Sequence, residues 1–146
     1  VAQRRMNMNQ TINIAQIMLP KVSTVHICEN ATVRQGMEVF QRYGYTAIPV
    51  VSEDGKYLGS ITEGDFWRHM CRIGTTDKLA QENYRIRDVF RPDFCEPLSI
   101  EADAKSVVDI ALKQNFIPII DGRGYLSGMV TRQILIKYLA KLALDD

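Results

Sequence analysis

The sequence predicts an α/β (α+β) fold made of two β-α-β-β-α units that pack together with pseudo-two-fold symmetry. The main observation is an internal repeat, because residues 47–51 (AIPVV) align with residues 116–120 (FIPII). The same offset pairs Gly59 with Gly128 and Thr62 with Thr131. Two copies of one unit are typical of folds in which neither copy can bury its apolar face alone.

The elements of the unit follow from apolar spacing and turn residues. The apolar positions with helical spacing before each Ile-Pro strand are Val33, Met37 and Phe40, and Val107, Ile110 and Ala111. The turns at residues 53–55 and 122–124 each predict a hairpin that leads into a second strand. A closing helix is marked by Trp67 and Met70 in the first copy and by Leu135 and Leu139 in the second.

These elements predict the domain boundaries. Residues 14–20 align with residues 86–92, so each copy begins with the same short segment. The intervening stretch has the Gly-Thr-Thr-Asp composition of a turn and linker. The predicted organisation is an N-terminal tail (residues 1–13), a first domain (14–72), a linker (73–85), a second domain (86–142) and a C-terminal tail (143–146).

Composition excludes several classes of protein. The 146 residues include 18 Lys+Arg and 17 Asp+Glu, a formal charge of +1, which argues against a nucleic-acid partner bound by bulk charge. With 46% apolar and 24% charged residues, the composition is that of a globular protein. Apolar runs are far shorter than the roughly 20 residues of a membrane span, and no secretion signal is recognisable. We therefore expect no membrane insertion and a cytoplasmic location.

The reactive side chains predict neither catalysis nor metal binding. Cys28, Cys71 and Cys95 lack the spacing of metal ligands, and their odd number argues against a disulfide framework. His26 and His69 lie in no catalytic motif, and His69 is interpreted as a partly exposed helix residue. The sequence predicts no catalytic residue, no metal site, no required cofactor and no enzymatic activity.

One segment of the first copy has the chemistry of a nucleotide site. Thr62 follows a predicted strand and is placed as the N-cap of a helix, where free backbone N–H groups favour phosphate. Asp65, one turn later, offers a carboxylate to both hydroxyls of a ribose. Gly59 would let a backbone approach closely. Because Thr-x-x-Asp is also an ordinary capping pattern, the fragment alone favours a structural cap.

Residues 44–51 (GYTAIPVV), followed by residues 54–62 (DGKYLGSIT) and Asp65, resemble the cystathionine β-synthase (CBS) domain family, here as a tandem pair or Bateman module. The resemblance covers residues 14–142. It implies that the cleft between the domains binds an adenine nucleotide, with Thr62 on phosphate and Asp65 on ribose. The residues implied to surround the adenine are Lys21, Val22, Ser23, Thr24, Tyr45, Thr46 and Ala47.

The second copy departs from this pattern. Phe116, Ile117 and Thr131 are also predicted to contact the nucleotide. Phe116 and Thr131 correspond to Ala47 and Thr62 of the first copy, but Ile134 replaces Asp65 and Arg132 replaces Glu63. A guanidinium beside a helix N-terminus suits phosphate. Together with residues 21–22 and 44–50, this combination resembles the stand-alone CBS-pair proteins of Gram-positive bacteria that bind cyclic di-AMP. The resemblance leaves AMP, ADP, ATP and cyclic di-AMP as candidate ligands.

The resulting interpretation is a regulatory sensor that binds a small-molecule nucleotide, forms a homodimer and transmits its state to a target protein. An alternative, suggested by the start at Val1, is a regulatory fragment of a larger enzyme or transporter. A small nucleotide-processing enzyme is disfavoured, because no acid–base pair or nucleophile accompanies Asp65. Arg87 and Arg91 are interpreted as surface ion-pair partners of little energetic weight.

Overall fold

A computed structural model describes residues 12–92 and 94–144. These residues form two compact units: a central unit of residues 25–94, and a terminal unit that combines residues up to 24 with those from 95 onward. In chain order the helices and strands are α1 (Ile14–Ile17), β1 (Leu19–Pro20), β2 (Ile27–Cys28), α2 (Val33–Tyr43), β3 (Ala47–Val51), β4 (Tyr57–Thr62), α3 (Glu63–Ile73), β5 (Leu98–Ser99), α4 (Ala104–Ala111), β6 (Phe116–Ile120), β7 (Leu126–Thr131) and α5 (Arg132–Leu144).

The predicted α+β class and the order β-α-β-β-α are confirmed in both copies, as β2-α2-β3-β4-α3 and β5-α4-β6-β7-α5. In the central unit the sheet order is β2-β3-β4, and in the terminal unit it is β1-β7-β6-β5. In each unit the first strand of the copy runs parallel to the Ile-Pro strand, which pairs antiparallel with the last strand. The hairpin strands lead directly into α3 and α5, which places a helix N-terminus at the end of each sheet.

The central unit shows why its helices form where they do. Thr32 and Gln35 make a capping box at the start of α2, and Gly44 ends the helix with a left-handed φ of 67°. The buried face of α2 contains Phe40, whose ring meets Phe66 of α3 edge to face at a centroid distance of 5.2 Å. The other fully buried side chains of this core include Val33, Ile48, Val50, Ile61 and Ile86.

The terminal unit has its own core between its sheet and α1, α4 and α5. Asp103 caps α4 by accepting a hydrogen bond from the Ser106 backbone N–H, and its hydrogen bonds to Ser106 lower the pKa of the Asp103 carboxyl. The most deeply buried side chains of this core are Ile14, Val107, Ile117, Ile119, Val130 and Leu135. The apolar spacing in the sequence therefore identifies the buried faces of α2, α4 and α5 correctly, whereas Trp67 of α3 is 67% exposed.

The units differ from the predicted boundaries at residues 14–72 and 86–142. Strand β1 lies in the leading segment of the first copy, yet it pairs with β7 of the second copy, with Leu19 opposite Met129. Correspondingly, Arg91 forms a β-bridge with Ser60 of the first copy. Each copy's leading segment thus completes the sheet of the other copy, an exchange that the aligned segments at residues 14–20 and 86–92 do not indicate.

The predicted linker contains a buried polar cluster that the sequence did not predict. Gln81, which is 0% exposed, lies in a 3-10 turn at Ala80–Asn83. Its Oε1 is 2.9 Å from His69 Nε2, and its Nε2 donates to the Thr75 carbonyl at 3.2 Å. The expectation of a partly exposed His69 is wrong, because Tyr84 and this turn cover the ring and leave it 3% exposed.

We expect Gln81→Leu to lower the free energy of unfolding by about 1–3 kcal/mol, because it leaves His69 Nε2 and the Thr75 carbonyl buried without their partner. Urea unfolding of both proteins measures the difference. The exposed Gln41→Leu is the matched control, with an expected change within about 0.5 kcal/mol. Equal stability of the two variants would contradict a structural role for the cluster.

Candidate functional site

The end of β4 and the start of α3 contain the predicted Thr62–Asp65 pair. Thr62 Oγ1 accepts a hydrogen bond from the Asp65 backbone N–H at 3.2 Å, and Asp65 Oδ2 accepts one from the Thr62 N–H at 2.8 Å. This reciprocal arrangement is a capping box, so the structural interpretation of Thr-x-x-Asp is confirmed. In this capping box the Thr62 hydroxyl oxygen and one carboxylate oxygen of Asp65 each accept one backbone hydrogen bond.

The second oxygen of Asp65 is bound by two arginines. Asp65 Oδ1 accepts from Arg68 at 2.7 Å and from Arg91 Nε at 2.9 Å. The carboxylate is 2% exposed, whereas the two arginine side chains are 53% and 49% exposed, so the guanidinium groups lie on its solvent side. The expected ion pair of Arg91 is therefore present, but its partner is a buried acid and not a surface group.

Neither arginine was among the predicted site residues. Arg68 follows Asp65 by three positions on the same helix, a spacing at which side chains meet, so the sequence did contain a signal for it. Arg91 is 26 residues away, and only the exchange of leading segments brings it to Asp65. Its guanidinium also lies over the ring of Phe94, at 4.2 Å from the centroid.

Gly59 does allow a close backbone approach, but the backbone that approaches belongs to the chain itself. A Cβ at this position would lie 2.8 Å from the Arg91 carbonyl oxygen and 2.9 Å from that of Pro92. The equivalent Gly128 of the terminal unit faces Leu19 in the same way. Both glycines are therefore required by the exchanged segments.

In the terminal unit the equivalent helix start has a different character. Thr131 Oγ1 accepts from the Ile134 N–H at 3.2 Å, and Ile134 supplies no acid. Arg132 is anchored by its Nε, which donates to the Ala111 carbonyl at 2.8 Å, while its backbone N–H donates to Asn115. A cavity of about 510 Å³ lies here, lined by Asn115, Thr131, Arg132, Gln133, Ile136 and Lys137. Neither Asn115 nor Lys137 was among the predicted site residues.

The same unit contains the predicted stretch of residues 21–24. Lys21–Ser23 form a 3-10 turn directly after β1, and Val22 is 94% exposed. Thr24 is buried and its hydroxyl donates to the Pro20 carbonyl at 2.9 Å, which anchors the turn. Among the described residues, no carboxylate lies within ion-pair distance of Lys21 or Arg132.

The remaining predicted residues differ in how accessible their side chains are. Tyr45 is 41% exposed and its ring is stacked with that of Tyr43 at 6.3 Å, next to the exposed Thr46 and half-buried Ala47. Phe116 is half-buried, whereas Ile117 is 1% exposed and belongs to the core. Ile117 therefore leaves almost no surface to a ligand.

Within the described part of the chain, no cluster of His, Cys, Asp or Glu could hold a metal ion. Among the described helices, none combines the length and the apolar character that a membrane span requires.

Comparison with known proteins identifies the fold. The family model of the CBS domain matches residues 14–66. A CBS domain-containing protein of Dictyostelium discoideum is 25% identical over 144 residues, covering 88% of this chain and 92% of that protein. A homoserine O-acetyltransferase of Methanococcus vannielii is 24% identical over 123 residues, which are 82% of this chain but 23% of the transferase.

Among solved structures, CbpB in complex with c-di-AMP superposes with a TM-score of 0.83 at 18% identity, covering 92% of this chain and 88% of CbpB. The superposition includes both β-α-β-β-α copies, since it extends well beyond the segment matched by the family model. Residues 14–66 therefore match the family model of the CBS domain, and the chain has the tandem fold of CBS-pair proteins.

Proposed function

We propose that this chain is a regulatory CBS-pair protein that binds an adenine nucleotide and transmits the bound state to a partner protein. The observation that carries the proposal is the helix start at Thr131 and Arg132. Because Nε of Arg132 is held by the Ala111 carbonyl, the two terminal nitrogens of the guanidinium remain as donors beside the N-terminus of a 13-residue helix. Such an arrangement suits a phosphate group.

Lys21 supports the same assignment. It lies in the terminal unit with Arg132, at the turn that follows β1, and has no carboxylate partner among the described residues. Cations without local counter-charges favour a ligand that carries negative charge. We assign Lys21, Thr131 and Arg132 to phosphate, and Val22, Ser23 and Phe116 to contacts with the rest of the nucleotide. The buried Thr24 and Ile117 hold these neighbours in position.

Among the candidate nucleotides, cyclic di-AMP fits these observations best. It is the ligand of the CbpB complex that shares this fold, and each of its two phosphates can be recognised by basic groups. AMP, ADP and ATP would rely on Asp65 for their ribose hydroxyls, but its carboxylate is 2% exposed and already accepts three hydrogen bonds within the chain. For the central unit by itself we propose Tyr45, Thr46, Ala47 and Thr62 as nucleotide contacts.

We expect Arg132→Gln to weaken cyclic di-AMP binding by about ten- to a hundredfold, since the loss of a charged hydrogen bond costs about 1.5–3 kcal/mol. Isothermal titration calorimetry of the purified protein measures the change. Arg123→Gln, which removes an exposed arginine from the β6–β7 turn, is the control and should leave the affinity unchanged. No binding of cyclic di-AMP or AMP to the wild-type chain would overturn the proposed function.

The proposal places the activity in binding rather than in catalysis, with a homodimer as the regulatory assembly. Incubation with ATP should yield no product, and a product whose formation is lost in Asp65→Ala would contradict this. The similarity to 23% of a homoserine O-acetyltransferase favours one alternative, in which the same module regulates a larger enzyme. The full reading frame around the chain distinguishes the two.

A further inference from the structure

Asp65 accepts three hydrogen bonds from within the chain. One oxygen accepts from the Thr62 N–H, and the other accepts from Arg68 and Arg91. The carboxylate is almost inaccessible, while both arginines are about half exposed. A ribose can reach this carboxylate only if the guanidinium groups that cover its solvent side move away.

Arg91 is the partner that arrives from outside the helix. Its backbone forms a β-bridge with Ser60 of β4, and its guanidinium packs against the ring of Phe94. The Phe94 carbonyl is 3.5 Å from the Tyr57 hydroxyl, which also lies 3.0 Å from Ser60 Oγ. These contacts hold Arg91 in place, whereas Arg68 is a local partner one turn along α3.

The ligand group that would compete with Arg91 for Asp65 is a ribose cis-diol. The cis-diol of a nucleoside monophosphate donates two hydroxyl groups to one carboxylate, whereas cyclic di-AMP has no cis-diol because its 3′ oxygens are esterified. A group that binds Asp65 therefore weakens the binding of nucleoside monophosphates but does not change the affinity for cyclic di-AMP.

We propose that Arg91 is a specificity-determining residue: by binding Asp65, it acts as an internal competitor of ribose cis-diols and directs the protein towards a cyclic dinucleotide. This inference rests on the proposed function. Arg91 acts through Asp65 and is therefore a positioning residue, which needs no contact with the ligand.

The test compares wild type, Arg91→Gln and Arg87→Gln by calorimetry. Arg87 lies in the same segment, is exposed and makes no ion pair among the described residues, so it controls for the loss of one positive charge. We expect Arg91→Gln to bind AMP at least tenfold more tightly than the other two proteins. The gain should disappear with 2′,3′-dideoxy-AMP and in the double variant Arg91→Gln/Asp65→Asn. Cyclic di-AMP affinity should stay unchanged.

Each outcome decides one point. Equal AMP affinity in wild type and Arg91→Gln, or an equal gain for the dideoxy analogue, would overturn the role of Arg91 even if cyclic di-AMP binds. Absence of cyclic di-AMP and AMP binding in wild type would instead overturn the proposed function. If Arg91→Gln does not fold, Phe94→Leu loosens Arg91 without removing its charge. It should bind AMP about threefold more tightly than wild type, and unchanged affinity would refute the proposal.

Discussion

Gly128→Ala is expected to destabilise the protein by about 2–3 kcal/mol, an overpacking cost at a site where the neighbour is backbone. A Cβ at this position would overlap the Leu19 carbonyl oxygen and would lie 2.6 Å from Met18 Cγ. Leu19 is fixed opposite Met129 by the pairing of β1 with β7, so it cannot move away without breaking that pairing. Urea or thermal unfolding measures the loss.

Gly122→Ala is the matched control for this prediction. It lies in the β6–β7 turn and has no positive φ, and a Cβ added there would have no other group within 4 Å, so its effect should stay within about 0.5 kcal/mol. Gly59→Ala should resemble Gly128→Ala, because its Cβ would meet the Arg91 and Pro92 carbonyls. Wild-type stability of Gly128→Ala would show that β1 does not pack against β7 as described.

Asp65→Asn is expected to lower the free energy of unfolding by about 2 kcal/mol. The change removes the charge that Arg68 and Arg91 share and weakens the capping box with Thr62. Breaking a fully buried ion pair costs about 3–5 kcal/mol, but both arginines are half exposed and water screens them in part. Chemical unfolding in urea gives the value directly.

Glu63→Gln controls for the loss of one negative charge in the first turn of the same helix. Glu63 is exposed and makes no side-chain ion pair among the described residues, so we expect a change below about 0.5 kcal/mol. If both variants lower the free energy of unfolding equally, then the loss comes only from the charge at the helix N-terminus. The pairing of Asp65 with the arginines would then not stabilise the protein.

Much of the fold could be predicted because its signals are local in sequence. The spacing of Val33, Met37 and Phe40 requires one apolar helix face, and the structure buries Val33 and Phe40. The Ile-Pro strands and the turns after them predict the hairpins correctly. Thr62 is also found as the N-cap of α3, since capping depends on residues three positions apart.

The site could be predicted less completely. The capping partners of Thr62 and Thr131 follow from spacing, and Arg132 is recognisable as a cation beside a helix start. The contact of Arg91 with Asp65 cannot be recognised in the sequence, because Arg91 comes from a different segment of the chain. The burial of His69 depends in the same way on Gln81, which lies in a stretch with the composition of a linker.

The sequence alone determined the repeated β-α-β-β-α order, the buried faces of α2 and α4 and the positions of the two helix starts. These features follow from periodicity and from contacts between near neighbours. Only the tertiary structure decided that the leading segments complete each other's sheets and that Arg91 neutralises Asp65. Such pairings join residues far apart in the chain, and their free energy depends on a geometry that no local pattern of residues encodes.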